Sequence, residues 1–163
     1  MQNTLPIHFA PLQGYTEAIY RNAHDAFFGG VDTYYTPFVR LEKGNFRRRD
    51  VRGIEPENNG VPHLIPQLIA SSAEKAEVIL SLFIEKGYQE VDINLGCPFP
   101  LLAKRHNGSG ILPYPEEVKA LLSIVTRYPQ ISFSVKMRLG WEQPDECLAL
   151  APILNDLPLR QIT

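Results

Sequence analysis

Cysteine is scarce in this sequence of 163 residues: only Cys97 and Cys147 occur. They are far apart and form no CxxC or other metal-ligand spacing, so no metal site is expected. In a reducing compartment both remain thiols. No apolar run reaches the roughly 20 residues of a bilayer-spanning helix, which argues against a membrane partner. The opening Met1-Gln2-Asn3-Thr4 lacks the basic start and apolar stretch of a signal peptide, so a cytoplasmic location is expected. A Gly-x-Gly-x-x-Gly after the first apolar run is also missing, which weakens a Rossmann reading. What remains is 44% hydrophobic and 21% charged, a composition typical of globular chains, and the length suffices for one domain with a core.

The net charge of -2 hides an asymmetry. Arg40, Lys43, Arg47, Arg48, Arg49 and Arg52 face only Glu42 and Asp50 in the same stretch, a local balance of +4 that leaves -6 for the rest. Such a patch on an acidic chain suits a polyanionic partner; a solvated surface helix is the other reading.

Short apolar runs alternate with amphipathic stretches. Strands are expected at residues 7–10, 31–38, 63–69, 90–94 and 131–137, with a sixth opening at 159–163. Helices are expected at 16–28 with Thr16 as N-cap, at 71–86 from a Ser71/Glu74 capping box, from Pro115 onward, and at 145–155 with Pro152 limiting or kinking the last. Ala76, Ile79, Leu80 and Phe83 form the apolar stripe of the second, and Val118, Leu121, Leu122 and Val125 that of the third. The basic segment is read as partly helical, and 95–114 as a long Gly-containing loop.

This repeated β-then-α order implies a parallel sheet with right-handed crossovers. The chemically loaded residues fall just after strand ends, where a (β/α)8 barrel builds its site. A barrel needs about 250 residues, so an incomplete TIM barrel is expected, about five β/α units plus the start of strand six. Two exposed sheet edges would then favour self-association.

Four strand-end motifs carry the chemistry: Ala10-Pro11-Leu12-Gln13-Gly14; Pro66-Gln67-Leu68; Asp92-Ile93-Asn94-Leu95-Gly96-Cys97-Pro98; and Val135-Lys136-Met137-Arg138-Leu139-Gly140. The first puts backbone N–H and C=O groups where a planar ring could pair with them. Gln67 offers a donor and an acceptor on one amide, which suits the mixed edge of a flavin or pyrimidine. Lys136 ends an apolar strand and calls for an anion or a reduced ring. Arg138 falls on the same side. Cys97, in a loop between Gly96 and Pro98, is placed to give or take a proton. Taken singly, these residues also read as a core amide, a snorkelling lysine and a small buried thiol. Four at the same end of successive strands favour a site.

These motifs, in this order and spacing, resemble those of the tRNA-dihydrouridine synthases, and Asn107-Gly108-Ser109-Gly110-Ile111-Leu112-Pro113-Tyr114 resembles the Gly-rich segment after that family's cysteine. The resemblance implies an FMN enzyme on a TIM barrel, reloaded by NADPH, that reduces the C5–C6 bond of selected uridines in tRNA. It implies that Pro11 and Leu12 contact the flavin, that Gln67 bonds its pyrimidine edge, and that Lys136 lies at the N1/O2 side. Asn94 would hold the target uracil, Cys97 would act as general acid, and Arg138 would lie near the substrate or its phosphate. Arg47, Arg48, Arg49, Lys104 and Arg105, with His106 beside them, would meet tRNA phosphates.

Leu12 stands where the family commonly has Met, and Pro98-Phe99-Pro100 replaces more polar residues. The family's later His and Arg, its phosphate-binding loops, the C-terminal barrel half and a helical tRNA-binding domain have no counterpart within residues 1–163. The chain is therefore read as the N-terminal part of an FMN-binding barrel, with weak or no FMN binding expected of it alone. Two other readings remain: an FMN barrel acting on a free pyrimidine or small substrate, and an inactive fragment with a structural or interaction role.

Overall fold

β-branched and aromatic residues suit a pleated, buried surface, and Thr33, Tyr34 and Tyr35 form the buried central strand of the first parallel sheet. The computed structural model describes residues 5–163; the Met1-Gln2-Asn3-Thr4 stretch read above lies outside them. Two units are resolved, one running to Gln67 and one from Leu68 to Thr163.

The first unit contains β1 (His8–Phe9), α1 (Ala18–Phe27), β2 (Thr33–Tyr35), β3 (Leu41–Glu42), β4 (Asn45–Phe46), α2 (Arg48–Ile54) and β5 (Leu64–Ile65). Its main sheet has the order β1-β2-β5, parallel throughout. Gly29 and Gly30, at φ of 61° and 71°, end the run of α1 as expected.

A two-residue strand β6 (Gln67–Leu68) spans the boundary. The second unit continues with α3 (Ala73–Glu85), β7 (Glu90–Leu95), α4 (Pro100–Ala103), α5 (Pro115–Leu122), α6 (Ile124–Arg127), β8 (Ser132–Met137), α7 (Glu146–Asn155) and β9 (Leu159–Ile162). β7, β8 and β9 are parallel neighbours in that order. The expected stripe of α3 is buried, as are Val118, Leu121 and Leu122 of α5, while Val125, expected on the same helix, is buried on the separate helix α6; α5 packs against both α3 and α7. The architecture is α/β with parallel sheets.

Several boundaries differ from expectation, each for a local reason. Thr16 is not the N-cap of α1; that position is Glu17, and the Thr16 hydroxyl turns back to Leu12. Ser72 rather than Ser71 caps α3, accepting from the Lys75 N–H at 3.5 Å. The single strand expected at 63–69 is two short strands, because Pro66 has no N–H to continue a ladder. The basic segment begins as the hairpin β3–β4 before α2. Lys43 and Gly44 both take positive φ, 52° and 80°, as a two-residue turn matched to strand twist requires. The 95–114 loop carries the short helix α4 and a 3-10 turn at Gly108–Ile111. Pro152 lies inside α7, which continues through it to Asn155.

The largest fully buried side chain of the first unit is a charged one. Arg21 donates through Nη1 to the Thr16 carbonyl at 2.6 Å. Its Nη2 donates to the Gly53 carbonyl at 2.8 Å and to Asn59 Oδ1 at 2.5 Å. Asn59 in turn donates to the carbonyls of Gly53 and Glu55. This network ties the start of α1 to the end of α2 and the turn beyond it. Arg21→Met keeps the volume but leaves buried carbonyls unpaired. It should lower stability by about 3 kcal/mol, read as a fall in the urea midpoint with an unchanged slope.

Candidate active site

The second unit's site grows out of the β7–β8 ladder. Asp92 pairs in register with Ser134, and Asn94 with Lys136. Alternation puts these polar residues on one face of each strand, while Val91, Ile93, Leu95, Phe133 and Val135 take the apolar face. Asp92 and Ser134 are buried, and the Ser134 hydroxyl donates to Asp92 Oδ1 at 2.5 Å. One step toward the C-terminal end, Lys136 is half-buried and makes no ion pair or hydrogen bond among the described residues.

Just past that end, backbone bonds hold the Cys97 loop. Asn94 Oδ1 accepts from the N–H of Gly96 at 3.0 Å and of Cys97 at 2.9 Å. The Cys97 carbonyl accepts from both the N–H and the hydroxyl of the buried Ser109, each at 3.0 Å. Arg138 Nε donates to the Gly96 carbonyl at 2.8 Å. Cys97 is half-buried and free of any disulfide. Asn94, Cys97, Lys136 and Arg138 are thus gathered at the C-terminal ends of two adjacent strands. A family model described as dihydrouridine synthase (Dus) matches residues 8–163.

The chain belongs to the dihydrouridine synthase family.

Among its curated relatives, the tRNA-dihydrouridine(16) synthase of Haemophilus ducreyi is 28% identical over an alignment covering 96% of this chain and 50% of that protein. The probable tRNA-dihydrouridine synthase 1 of Synechocystis sp. is 27% identical, covering 94% of this chain and 43% of that protein. The tRNA-dihydrouridine synthase B of Klebsiella pneumoniae is 29% identical over 60% of this chain and 30% of its own length. The chain spans half or less of each of these three relatives.

The remaining expected residues of this family member lie in the first unit or on exposed loops. Pro11 and Leu12 follow β1. The Leu12 N–H donates to Thr16 Oγ1 at 2.9 Å, and the Leu12 carbonyl accepts from the N–H groups of Tyr15 and Thr16. These bonds close the turn on itself at Leu12. Its side chain is free for contact, 58% exposed. Gln13, which the sequence reading left without a role, has both amide atoms buried without a hydrogen-bond partner. Gln67 is buried, and its N–H donates to Thr36 Oγ1 at 3.0 Å.

Ion pairs occupy much of the basic segment. Arg47 meets the buried Asp50 at 3.2 Å, Arg49 meets Glu17 at 3.7 Å, and Arg40 meets Glu42 at 3.4 Å. Burial pushes the Asp50 carboxyl above its ordinary range, against the pull of Arg47. Arg48 is exposed and has no ion pair among the described residues. Lys104 and Arg105 are exposed on the loop after α4. His106 beside them stacks on Tyr114, ring centroids 4.2 Å apart, and its Nδ1 lies 2.6 Å from Glu117 Oε2. Among the described residues, no group of three His, Cys, Asp or Glu could hold a metal ion, and no helix is long and apolar enough to cross a membrane.

Beyond Arg138, a cavity of about 760 Å³ opens among Trp141, Cys147, Leu148, Ile162 and Thr163. Its rim is organised by Glu146, whose carboxylate accepts from the N–H groups of Trp141, Glu142 and Gln143 at 2.7, 3.0 and 3.0 Å. The Trp141 N–H, foremost among these, holds the Glu146 carboxyl below its ordinary value of 4.5. A carboxyl depressed by folding stabilises the fold fully above its unfolded value, and that contribution is lost as pH falls through the folded value. Trp141 is the sole tryptophan, so its emission should change sigmoidally below pH 4.5. Glu146→Gln should remove that transition.

Proposed function

We propose that this chain carries the uridine-reducing site of a flavin enzyme acting on tRNA, its strands forming part of a (β/α)8 barrel. The observation that carries the reading is the Cys97 loop: a thiol with its backbone pinned at the end of β7, next to the strand that ends in Lys136. Membership of the dihydrouridine synthase family and the printed names of its relatives support the same reaction.

Each unit, taken by itself, offers groups suited to an FMN ring. Lys136 is a half-buried ammonium with no partner among the described residues, suited to negative charge at the ring's N1/O2 side. Gln13 has a buried, unpaired donor and acceptor, suited to a mixed hydrogen-bonding edge. Pro11, Leu12, Gln67 and Lys136 are the residues of this chain that would hold the ring. When bound and reduced by NADPH, FMN supplies a hydride to C6 of the target uracil.

Cys97 then gives its proton to C5, so that hydride and proton together saturate the C5–C6 bond. For this the thiol must be protonated and within hydrogen-bond reach of C5, which a pinned loop favours over a mobile one. Asn94 holds the uracil, and Arg138 contacts the substrate or its phosphate through its terminal nitrogens, since Nε is already engaged. The target base must leave its stack to reach such a site. Of the proposed tRNA contacts, Arg48, Lys104 and Arg105 have no ion pair among the described residues and are available to phosphates, whereas Arg47 and Arg49 meet carboxylates.

In a protein that carries this chain within a complete barrel, supplied with FMN, NADPH and unmodified tRNA, Cys97→Ala should lower dihydrouridine formation, read by mass spectrometry of nucleosides, by roughly 10²–10⁴-fold. Flavin binding should stay within about twofold of wild type, because a general acid acts on the substrate. Equal loss of flavin would make Cys97 a structural residue. tRNA retention in a gel shift should fall steeply with salt, and no affinity at low salt would defeat the assignment of tRNA as partner.

A further inference from the structure

We propose that Gly108, Ser109 and Arg138 are positioning residues for the Cys97 thiol. The inference rests on the reading of Cys97 as proton donor.

Three independent restraints converge on the Gly96–Cys97 backbone. Asn94 fixes the two N–H groups. Arg138 Nε fixes the carbonyl of Gly96, and Ser109 fixes the carbonyl of Cys97 with two donors. Pro98 follows directly and keeps Cys97 out of helical backbone geometry. With the backbone held on both sides, the direction of the Cα–Cβ bond is set, and only the χ1 rotation of the thiol remains.

Gly108 supplies the fourth wall. A Cβ there would lie 2.5 Å from the Cys97 carbonyl oxygen, 2.9 Å from its Cβ and 3.0 Å from its nitrogen. Its φ of +61° is also one that side chains rarely adopt. The close approach is specific to the thiol's own residue, so a methyl group at this position must displace Cys97.

Arg138 is the least expected member. It is exposed, and an exposed arginine is ordinarily left mobile in water. Here it reaches across to a neutral carbonyl on the neighbouring strand's loop. Leu95 and Met137 are the last register pair of β7 and β8, and the Arg138–Gly96 bond extends that ladder by one rung through a side chain. Arg138 lies two residues past Lys136. The latch therefore ties the thiol's loop to the strand that carries the proposed flavin-binding lysine. A displacement of about 1 Å between reacting groups can cost ~10²-fold in rate, so such a tie is consequential for proton delivery.

The thiol can be read directly, without flavin or tRNA. Iodoacetamide labelling of Cys97 is followed by mass spectrometry across pH, with Cys147 of the same molecule as the internal reference. Arg138→Gln and Ser109→Ala should each raise the Cys97 rate by roughly threefold at a given pH, because the loop that orients the thiol is released, with Cys147 labelling and circular dichroism unchanged. Gly108→Ala should do the same more strongly if it folds; the other two variants decide the matter if it does not. An unchanged or slower Cys97 rate in folded Arg138→Gln and Ser109→Ala overturns the proposal.

In the tRNA assay, positioning predicts a fall in kcat of about tenfold for both variants, with KM for tRNA little changed in Ser109→Ala; Arg138→Gln, which also removes the proposed substrate contact, should raise KM as well. A rise in KM at constant kcat for Arg138→Gln would leave Arg138 a substrate ligand only. Retained activity in Cys97→Ala would defeat the proton-donor reading while leaving the labelling result standing, so the two failures are distinguishable.

Discussion

The register between β7 and β8 is the constraint on which the candidate site depends. Because side chains alternate, a slip of one residue would send Asn94 and Lys136 to the apolar face and bring Ile93 and Val135 to the polar one. The buried Ser134–Asp92 hydrogen bond opposes that slip. A buried carboxyl that loses its partner costs far more than a surface one, so this pair specifies alignment even where its net contribution to stability is small. Once it is set, Lys136 stands opposite Asn94. Leu95 and Met137 form the last rung, the Arg138–Gly96 bond follows directly beyond it, and the Cys97 loop starts from a fixed point. The chemistry at the strand ends is thus inherited from a polar pair two residues deeper in the sheet.

The loop shows how a site is stiffened through hydrogen bonds to its backbone. Asn94, Ser109 and Arg138 all act on backbone groups, and all come from different stretches of chain. That explains what the sequence could and could not reveal. Period and punctuation are local properties: the buried stripe of α3, Pro115 at the first position of α5 and the glycine at 87, with φ of 84°, all follow from neighbours in sequence. The Asn-Leu-Gly-Cys-Pro motif is local too, and it points to Cys97. Asn94 belongs to the same motif, but the other partners that hold the Cys97 loop are not local. Ser109 sits twelve residues on and Arg138 forty-two residues from Gly96, and only the folded crossover brings them back. Arg21 escaped notice for the same reason, since its acceptors lie beyond α2. The β3–β4 hairpin escaped because Lys43 occupies a turn position where Asn or Asp would have announced it.

Charge in the basic segment follows a similar logic. Counted along the sequence, Arg47, Arg48 and Arg49 look like one cationic run. Folded, two of the three answer carboxylates, and only Arg48 of the trio is left without one among the described residues. The Arg47–Asp50 pair is no simple stabiliser. Burial raises the Asp50 carboxyl despite three nearby arginines, so desolvation outweighs the attraction that Arg47 provides. The pair is better understood as anchoring the start of α2, which leaves Arg48 displayed on a fixed turn. A polyanion meeting this surface would meet a few ordered cations rather than a diffuse patch.

Gln13 extends the argument to the turn after β1. Around it the polar groups are used: the Leu12 N–H and carbonyl are closed by Tyr15 and Thr16, and Arg21 takes the Thr16 carbonyl. A turn satisfied in this way is rigid, because opening it would strand several groups at once. Yet both amide atoms of Gln13 are buried and unpaired within it. Each such orphan costs about 1–3 kcal/mol. A ligand edge carrying one donor and one acceptor would remove the cost on binding, and the rigid turn means little further ordering is needed to receive it. The same turn carries Pro11 and Leu12, so under the proposed flavin reading the Gln13 amide is a polar group of this turn suited to the ligand edge.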